Sequence, residues 1–167
     1  RRSNQIFYIL VLLVILPIAS QSQVNQKSSP WGYSYNIPDS KTQNIAVAPP
    51  SYEMLLSEDM EAEKNGTFYR FGKLVPANID LNSGSWTILG NGDKLWNISV
   101  RCSEAKALSF YFSNFHIPSG GKLFIYSKDK KQLLGAYTEI NNNPSGIFAT
   151  QLILTDEVII EYNEYYN

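Results

Sequence analysis

The chain has 167 residues, with 14 Lys and Arg against 15 Asp and Glu and a formal charge of −1, a balance that leaves no electrostatic footprint for nucleic acid or an anionic membrane. Charged residues make up only 17% and aromatic residues 13%, which is too much apolar ring for a disordered chain. A single Cys excludes an internal disulfide framework, and a single His leaves no His-rich metal cluster, so no cofactor is expected.

Arg1 and Arg2 precede an apolar run from Ile6 to Leu16, followed by Pro17 and the small residues Ala19, Ser20 and Ser22. That order is a secretory signal peptide over residues 1–22, with cleavage between Ser22 and Gln23. The run is shorter than the roughly 20 apolar residues that a membrane span needs. Passage through the export machinery and a periplasmic, cell-surface or extracellular location follow. Residues 23–50 are rich in Ser, Asn, Gln and Pro with scattered aromatics. They show neither hydrophobic period and read as a flexible arm. In 51–66, Tyr52, Leu55, Leu56 and Met60 share one helical face and Asn65-Gly66 provides a stop, which predicts a short helix with an acidic outer surface.

From residue 67 to 163 the apolar period is two. Trp96, Ile98 and Val100 alternate with Asn97, Ser99 and Arg101. Leu108, Phe110 and Phe112 alternate with Ser109, Tyr111 and Ser113, and Val158, Ile160 and Tyr162 are set against Glu157 and Glu161. Further strands are predicted at 68–75, 86–89, 123–127, 133–137 and 147–151, separated by Gly, Asn and Pro turns. Strands at this spacing predict an all-β fold, an antiparallel β-sandwich of jelly-roll type. Its expected core is Trp96, Ile98, Val100, Leu108, Phe110, Phe112, Leu123, Ile125, Val158 and Ile160, with Asn97, Ser99, Ser109 and Glu161 facing water. Residues 164–167 read as the start of a linker to a further domain.

Candidate chemistry is sparse. No two glycines are spaced for G-x-S-x-G, and His116 is the one available imidazole base, so no catalytic residue is assigned. Cys102 closes a strand and reads as a small buried thiol. Asn91, Asp93, Asp156 and Glu157 fall in turns but lack the D-x-D-x-D-G pattern of a calcium loop. Tyr33, Tyr35, Tyr165 and Tyr166 are candidates for stacking on sugars. Asn65-Gly66-Thr67 and Asn97-Ile98-Ser99 are glycosylation sequons.

An ordered series of motifs goes further. It comprises Tyr69-Arg70-Phe71-Gly72, Asn82-Ser83-Gly84-Ser85-Trp86, Asn91-Gly92-Asp93-Lys94-Leu95-Trp96, Phe112-Ser113-Asn114-Phe115-His116-Ile117-Pro118 and Gly121-Lys122-Leu123-Phe124-Ile125-Tyr126. It continues with Leu134-Gly135-Ala136-Tyr137, Asn143-Pro144-Ser145-Gly146-Ile147-Phe148-Ala149-Thr150 and Asp156-Glu157-Val158-Ile159-Ile160-Glu161-Tyr162. From Tyr69 to Tyr162 the chain resembles the N-terminal non-catalytic region, the prodomain, of bacterial secreted lysyl endopeptidase-type, trypsin-like serine proteases. The chain departs from that family at Cys102-Ser103-Glu104-Ala105, where a Ser-Pro-Gly-Ala turn is common, and at Asn97, where a basic residue is usual. The resemblance implies a downstream protease domain of the same precursor that carries the whole Ser, His and Asp triad, and no enzymatic activity in this chain alone. It also implies a prodomain role in folding, export or latency. If the downstream enzyme cuts after Lys, the turn bearing Lys128, Lys130 and Lys131, and Lys122 beside Gly120-Gly121, are candidate processing sites. The alternative reading is a carbohydrate- or surface-binding β-sandwich module of a secreted protein; a free-standing hydrolase lacks its nucleophile motif.

Overall fold

A computed structural model of the chain describes residues 28–35, 37, 38, 41–68 and 70–166; the expected signal peptide and the Ser22–Gln23 cleavage site lie outside them. Among the described residues there are eight strands: β1 (Gln43–Val47), β2 (Ser85–Ile88), β3 (Lys94–Cys102), β4 (Tyr111–Phe112), β5 (Lys122–Ser127), β6 (Leu133–Tyr137), β7 (Phe148–Ala149) and β8 (Glu157–Glu164). One helix, α1 (Tyr52–Lys64), lies between β1 and β2. The protein is mostly β.

Six strands build one mixed sheet in the order β1-β3-β8-β5-β6, with β2 also paired to β3, while β4 and β7 form a separate two-stranded ribbon. Apolar alternation in β3 and β8 and a continuous apolar run in β5 select these three strands as the centre. Their registers place Ile98 opposite Ile160 and Ile160 opposite Ile125, so three isoleucines form one row across the sheet. All three are 3% exposed or less. Because successive side chains point to opposite faces, this row commits Trp96, Val100, Leu123, Val158 and Tyr162 to the same dry side. The ribbon and its flanking loops cover that side: Phe115, Ile117 and Ile153 are buried there, and Leu108, Phe110, Phe112 and Phe148 pack against them half-buried. Phe115 and Phe148 stack with centroids 4.4 Å apart, and Tyr137 meets Phe148 edge-on.

The expected inward set therefore lines one core, and the strands expected at 123–127 and 133–137 form at or within one residue of those bounds. Four expectations change. First, the sheet is not wholly antiparallel, since β1 runs parallel to β3 with Gln43 opposite Ile98 and Val47 opposite Cys102. Second, the segment expected as a flexible arm supplies that strand: Ile45 and Val47, two residues apart, pack against the core. Third, the described residues of the expected 68–75 strand, 68 and 70–75, form none, and Arg70 and Lys73 tie this stretch to α1 instead. The Arg70 guanidinium donates to the Leu55 carbonyl and to Glu58 and Asp59, and Lys73 pairs with Glu58 at 2.7 Å. Fourth, Asn97, Ser99 and Glu161 are not wet but 4%, 3% and 0% exposed, because the reverse of the sheet is also covered.

Helix α1 begins as its sequence dictates, with Ser51 Oγ accepting from the Met54 N–H at 3.2 Å, and ends before Gly66 at φ +64°. It buries none of its residues. Among the described residues no helix is long and apolar enough to cross a membrane.

Ile98→Ala should cost about 2–5 kcal/mol as a cavity substitution at the centre of the isoleucine row, against less than about 0.5 kcal/mol for the exposed Ser109→Ala. Denaturant melts of the two variants measure the difference, and equal losses would refute the assigned face.

Candidate functional site

The reverse face of the sheet carries the least expected chemistry. On β8, Glu161 lies between Asn97 of β3 and Phe124 of β5 in the strand registers and is fully buried. A buried carboxylate is costly unless its lone pairs are satisfied. The donors come from a short strap on this face of the sheet and from a tyrosine on β5.

Pro30, itself fully buried, leads into a single 3-10 turn at Trp31–Tyr33. The Gly32 N–H donates to both oxygens of Glu161 at 3.0 and 3.2 Å, and the Trp31 N–H also donates to the carboxylate. Tyr126 on β5 donates its hydroxyl at 2.8 Å. Glycine is required at 32, because a Cβ there would overlap the Glu161 carboxylate and lie 2.8 Å from the Tyr126 hydroxyl. Aromatic contacts flank the turn on both sides: Trp31 meets Tyr165 edge-on at 5.0 Å, and Tyr33 meets Tyr126 at 5.0 Å.

Desolvation raises the Glu161 carboxyl above the ordinary Glu range, and its hydrogen bonds only partly oppose that rise. The Tyr126 hydroxyl is likewise pushed up, by burial and then by the neighbouring Glu161 charge. Beside the turn, Gly32, Ile37, Thr42 and Asn44 meet Asn97, Ser99, Tyr126, Ile159, Lys128 and Lys130 around a cavity of about 140 Å³. Asn97 Oδ1 is buried without a hydrogen-bond partner.

Two of the four lysines proposed for processing hold this strap. Lys130, in the left-handed region at φ +60°, donates to the Gly32 carbonyl at 3.3 Å and lies 5.2 Å above the Tyr33 ring. Lys122 donates to Ser28 Oγ and Tyr165 OH, both at 3.3 Å. The other two lie on the turn itself: Lys128 pairs with Glu157 at 2.8 Å, and Lys131 pairs with Asp129 at 3.2 Å with its side chain 80% exposed.

The remaining sequence candidates are scattered. His116 is exposed in the connection between β4 and β5, and Cys102 is buried at the end of β3. Asn91 and Asp93 bond each other at 2.7 Å, and Asp156 pairs with Arg101 at 3.3 Å. Of the four tyrosines considered for stacking on sugars, Tyr33 belongs to the strap and packs on Tyr126, Tyr165 meets Trp31 but stays exposed, and Tyr35 and Tyr166 are exposed. Asn97 is enclosed, which leaves Asn65 as the sequon with an exposed side chain. Among the described residues no group of three His, Cys, Asp or Glu could hold a metal ion. Ser99 Oγ donates to Glu157 at 3.0 Å with no imidazole beside it. What the assembled groups hold is a main chain: Glu161 accepts from the Gly32 N–H and Lys130 donates to the Gly32 carbonyl. Comparison with known proteins finds no family model that matches the chain and no solved structure that matches it significantly.

Sequence alternation missed Glu161, Gly32 and Asn97 as a unit because they belong to segments 129 residues apart at the widest. The available signal was a lone Gly between Trp31 and Tyr33 in an otherwise polar stretch.

Two outcomes test the site. Gly32→Ala should lose about 1–3 kcal/mol by overpacking and move Trp31 fluorescence toward that of a solvent-exposed indole. Unchanged emission would mean that the strap does not depend on this contact. Glu161 has a folded-state pKa above its unfolded value of 4.5, so its contribution to stability is fully present below that value and is lost as pH rises through the folded pKa. The unfolding free energy of wild type minus that of Glu161→Gln should therefore rise on acidification from neutral pH toward about 4.5 and then level off. A fall over that window, in urea melts at several pH values, would contradict the raised pKa.

Proposed function

We propose that this chain is the N-terminal, non-catalytic region of a secreted lysyl endopeptidase-type serine protease precursor, exported through a signal peptide. It assists the folding or latency of a protease domain that follows it. The observation that carries this reading is the ordered series of motifs from Tyr69 to Tyr162.

The roles of those motif residues support the reading. Gly121 packs beneath Tyr162, whose hydroxyl would lie 2.7 Å from an added Cβ. Gly146 adopts φ +65° in the Asn143–Gly146 turn, and its carbonyl accepts from the Phe115 N–H at 2.8 Å. Phe124, Ile125, Tyr126, Ile160 and Glu161 form the two faces of the sheet. The resemblance thus rests on residues that specify a fold, as expected of a region that shapes a neighbour rather than reacts with a substrate. In this reading, the sheet and the ribbon over its dry face form a reduced, jelly-roll-like sandwich. The non-local pairing of β3 with β8 makes such a domain slow to form alone, so a folded prodomain offers a preformed surface to an equally slow all-β protease domain.

Sequencing the gene past Asn167 and expressing the whole open reading frame tests the proposal. The expected result is a trypsin-like domain with a Gly-Asp-Ser-Gly segment that cleaves after Lys once matured, and an in-frame stop after Asn167 refutes the proposal. The purified 167-residue chain should show no peptidase or esterase turnover. Turnover abolished by His116→Ala would also overturn it.

A further inference from the structure

Helix α1 is mounted with its apolar stripe outward. At about 100° per residue, Tyr52, Leu56 and Met60 follow one line along the helix, and they are 73%, 45% and 63% exposed. The half-buried positions Leu55, Glu58, Asp59 and Ala62 lie on another side, where Arg70 and Lys73 clamp the helix through Glu58 and Asp59. The segment that supplies those two cations presents Phe68, Phe71 and Leu74 at 100%, 91% and 76% exposure. A 13-residue helix is marginal in isolation, and six large apolar side chains on one projecting unit exceed what a lone surface carries without a partner.

The charges around the stripe choose among occupants. The helix carries Glu53, Glu58, Asp59, Glu61 and Glu63 against Lys64. Glu58 and Asp59 are consumed by the clamp, while Glu53 and Glu63 flank the stripe. A second copy would set these carboxylates against their own equivalents, and an anionic bilayer would repel them. A cationic rim attracts them.

We propose that the Tyr52–Leu56–Met60 stripe, with the exposed Phe68, Phe71 and Leu74, is the surface by which this region docks an apolar groove rimmed by Lys and Arg on the protease domain that follows it. This inference rests on the precursor reading above and names the contact face. The ionic clamp orients the helix before docking, and the apolar stripe supplies the buried area.

Hydrogen exchange of residues 52–76 tests it, measured in the precursor with its nucleophile inactivated and in the 167-residue chain. Exchange should be about tenfold slower or more in the precursor. That protection should be lost in Leu56→Ser/Met60→Ser and weakened in Glu53→Lys/Glu63→Lys, whose surface positions leave the near-ultraviolet spectrum of the sheet core unchanged. Equal exchange in the two proteins, in a precursor that does contain the protease domain, overturns the docking face alone. Protection in the short chain that tracks a dimer by ultracentrifugation, or that appears on adding anionic vesicles, assigns the face to a second copy or a lipid surface and also overturns it. The absence of any downstream domain removes the precursor reading first, and is read from the gene rather than from exchange.

Discussion

Enclosure of the Glu161 carboxylate constrains this structure more than any other single feature. A carboxylate removed from water costs several kcal/mol unless it is compensated. Among the described residues no ion pair reaches it. Its compensation is neutral, from the Gly32 and Trp31 N–H groups and the Tyr126 hydroxyl. The strap is therefore not an optional cover. Without it Glu161 would be hydrated, the reverse face with Asn97 and Ser99 would be wet, and Tyr33 would lose its contact with Tyr126.

The same requirement explains the placement of charge nearby. Lys130 and Lys122 approach the strap from the turn and from β5, but they bond to the Gly32 carbonyl and to Ser28 Oγ rather than to Glu161. They hold the main chain in place while the carboxylate orients its N–H groups. A lysine-rich turn that reads in isolation as a solvated hairpin tip thereby shares the work of closing one face of the sheet.

The helix follows the opposite logic. The strap hides a polar group with main-chain donors, whereas α1 is held by exposed and half-exposed ion pairs and leaves its apolar stripe uncovered. Such pairs contribute little stability individually, so they serve orientation more than cohesion. One region thus has a sheet closed on both faces and a helix closed only on its clamped side.

By itself the sequence determined the parts governed by local period and local stereochemistry. The alternation in Trp96–Val100 and Val158–Tyr162 was enough to define two central strands and their dry face, because a one-residue slip would exchange their faces, whereas the alternating Leu108–Phe112 stretch forms a strand only at Tyr111–Phe112. Asn65-Gly66 was enough to end the helix, through a left-handed glycine. Only the tertiary structure decided what faces water on the second side of each element. Alternation makes Asn97 and Glu161 polar and outward, but whether outward means solvent depends on a strap from the far end of the chain. In α1 the Tyr52, Leu55, Leu56 and Met60 period reads as core-facing, yet Arg70 and Lys73 bind the side that carries the half-buried Leu55 and leave Tyr52, Leu56 and Met60 exposed. Periodicity reports that two faces differ; it does not say what lies against each, because that is set by contacts between residues far apart in the chain.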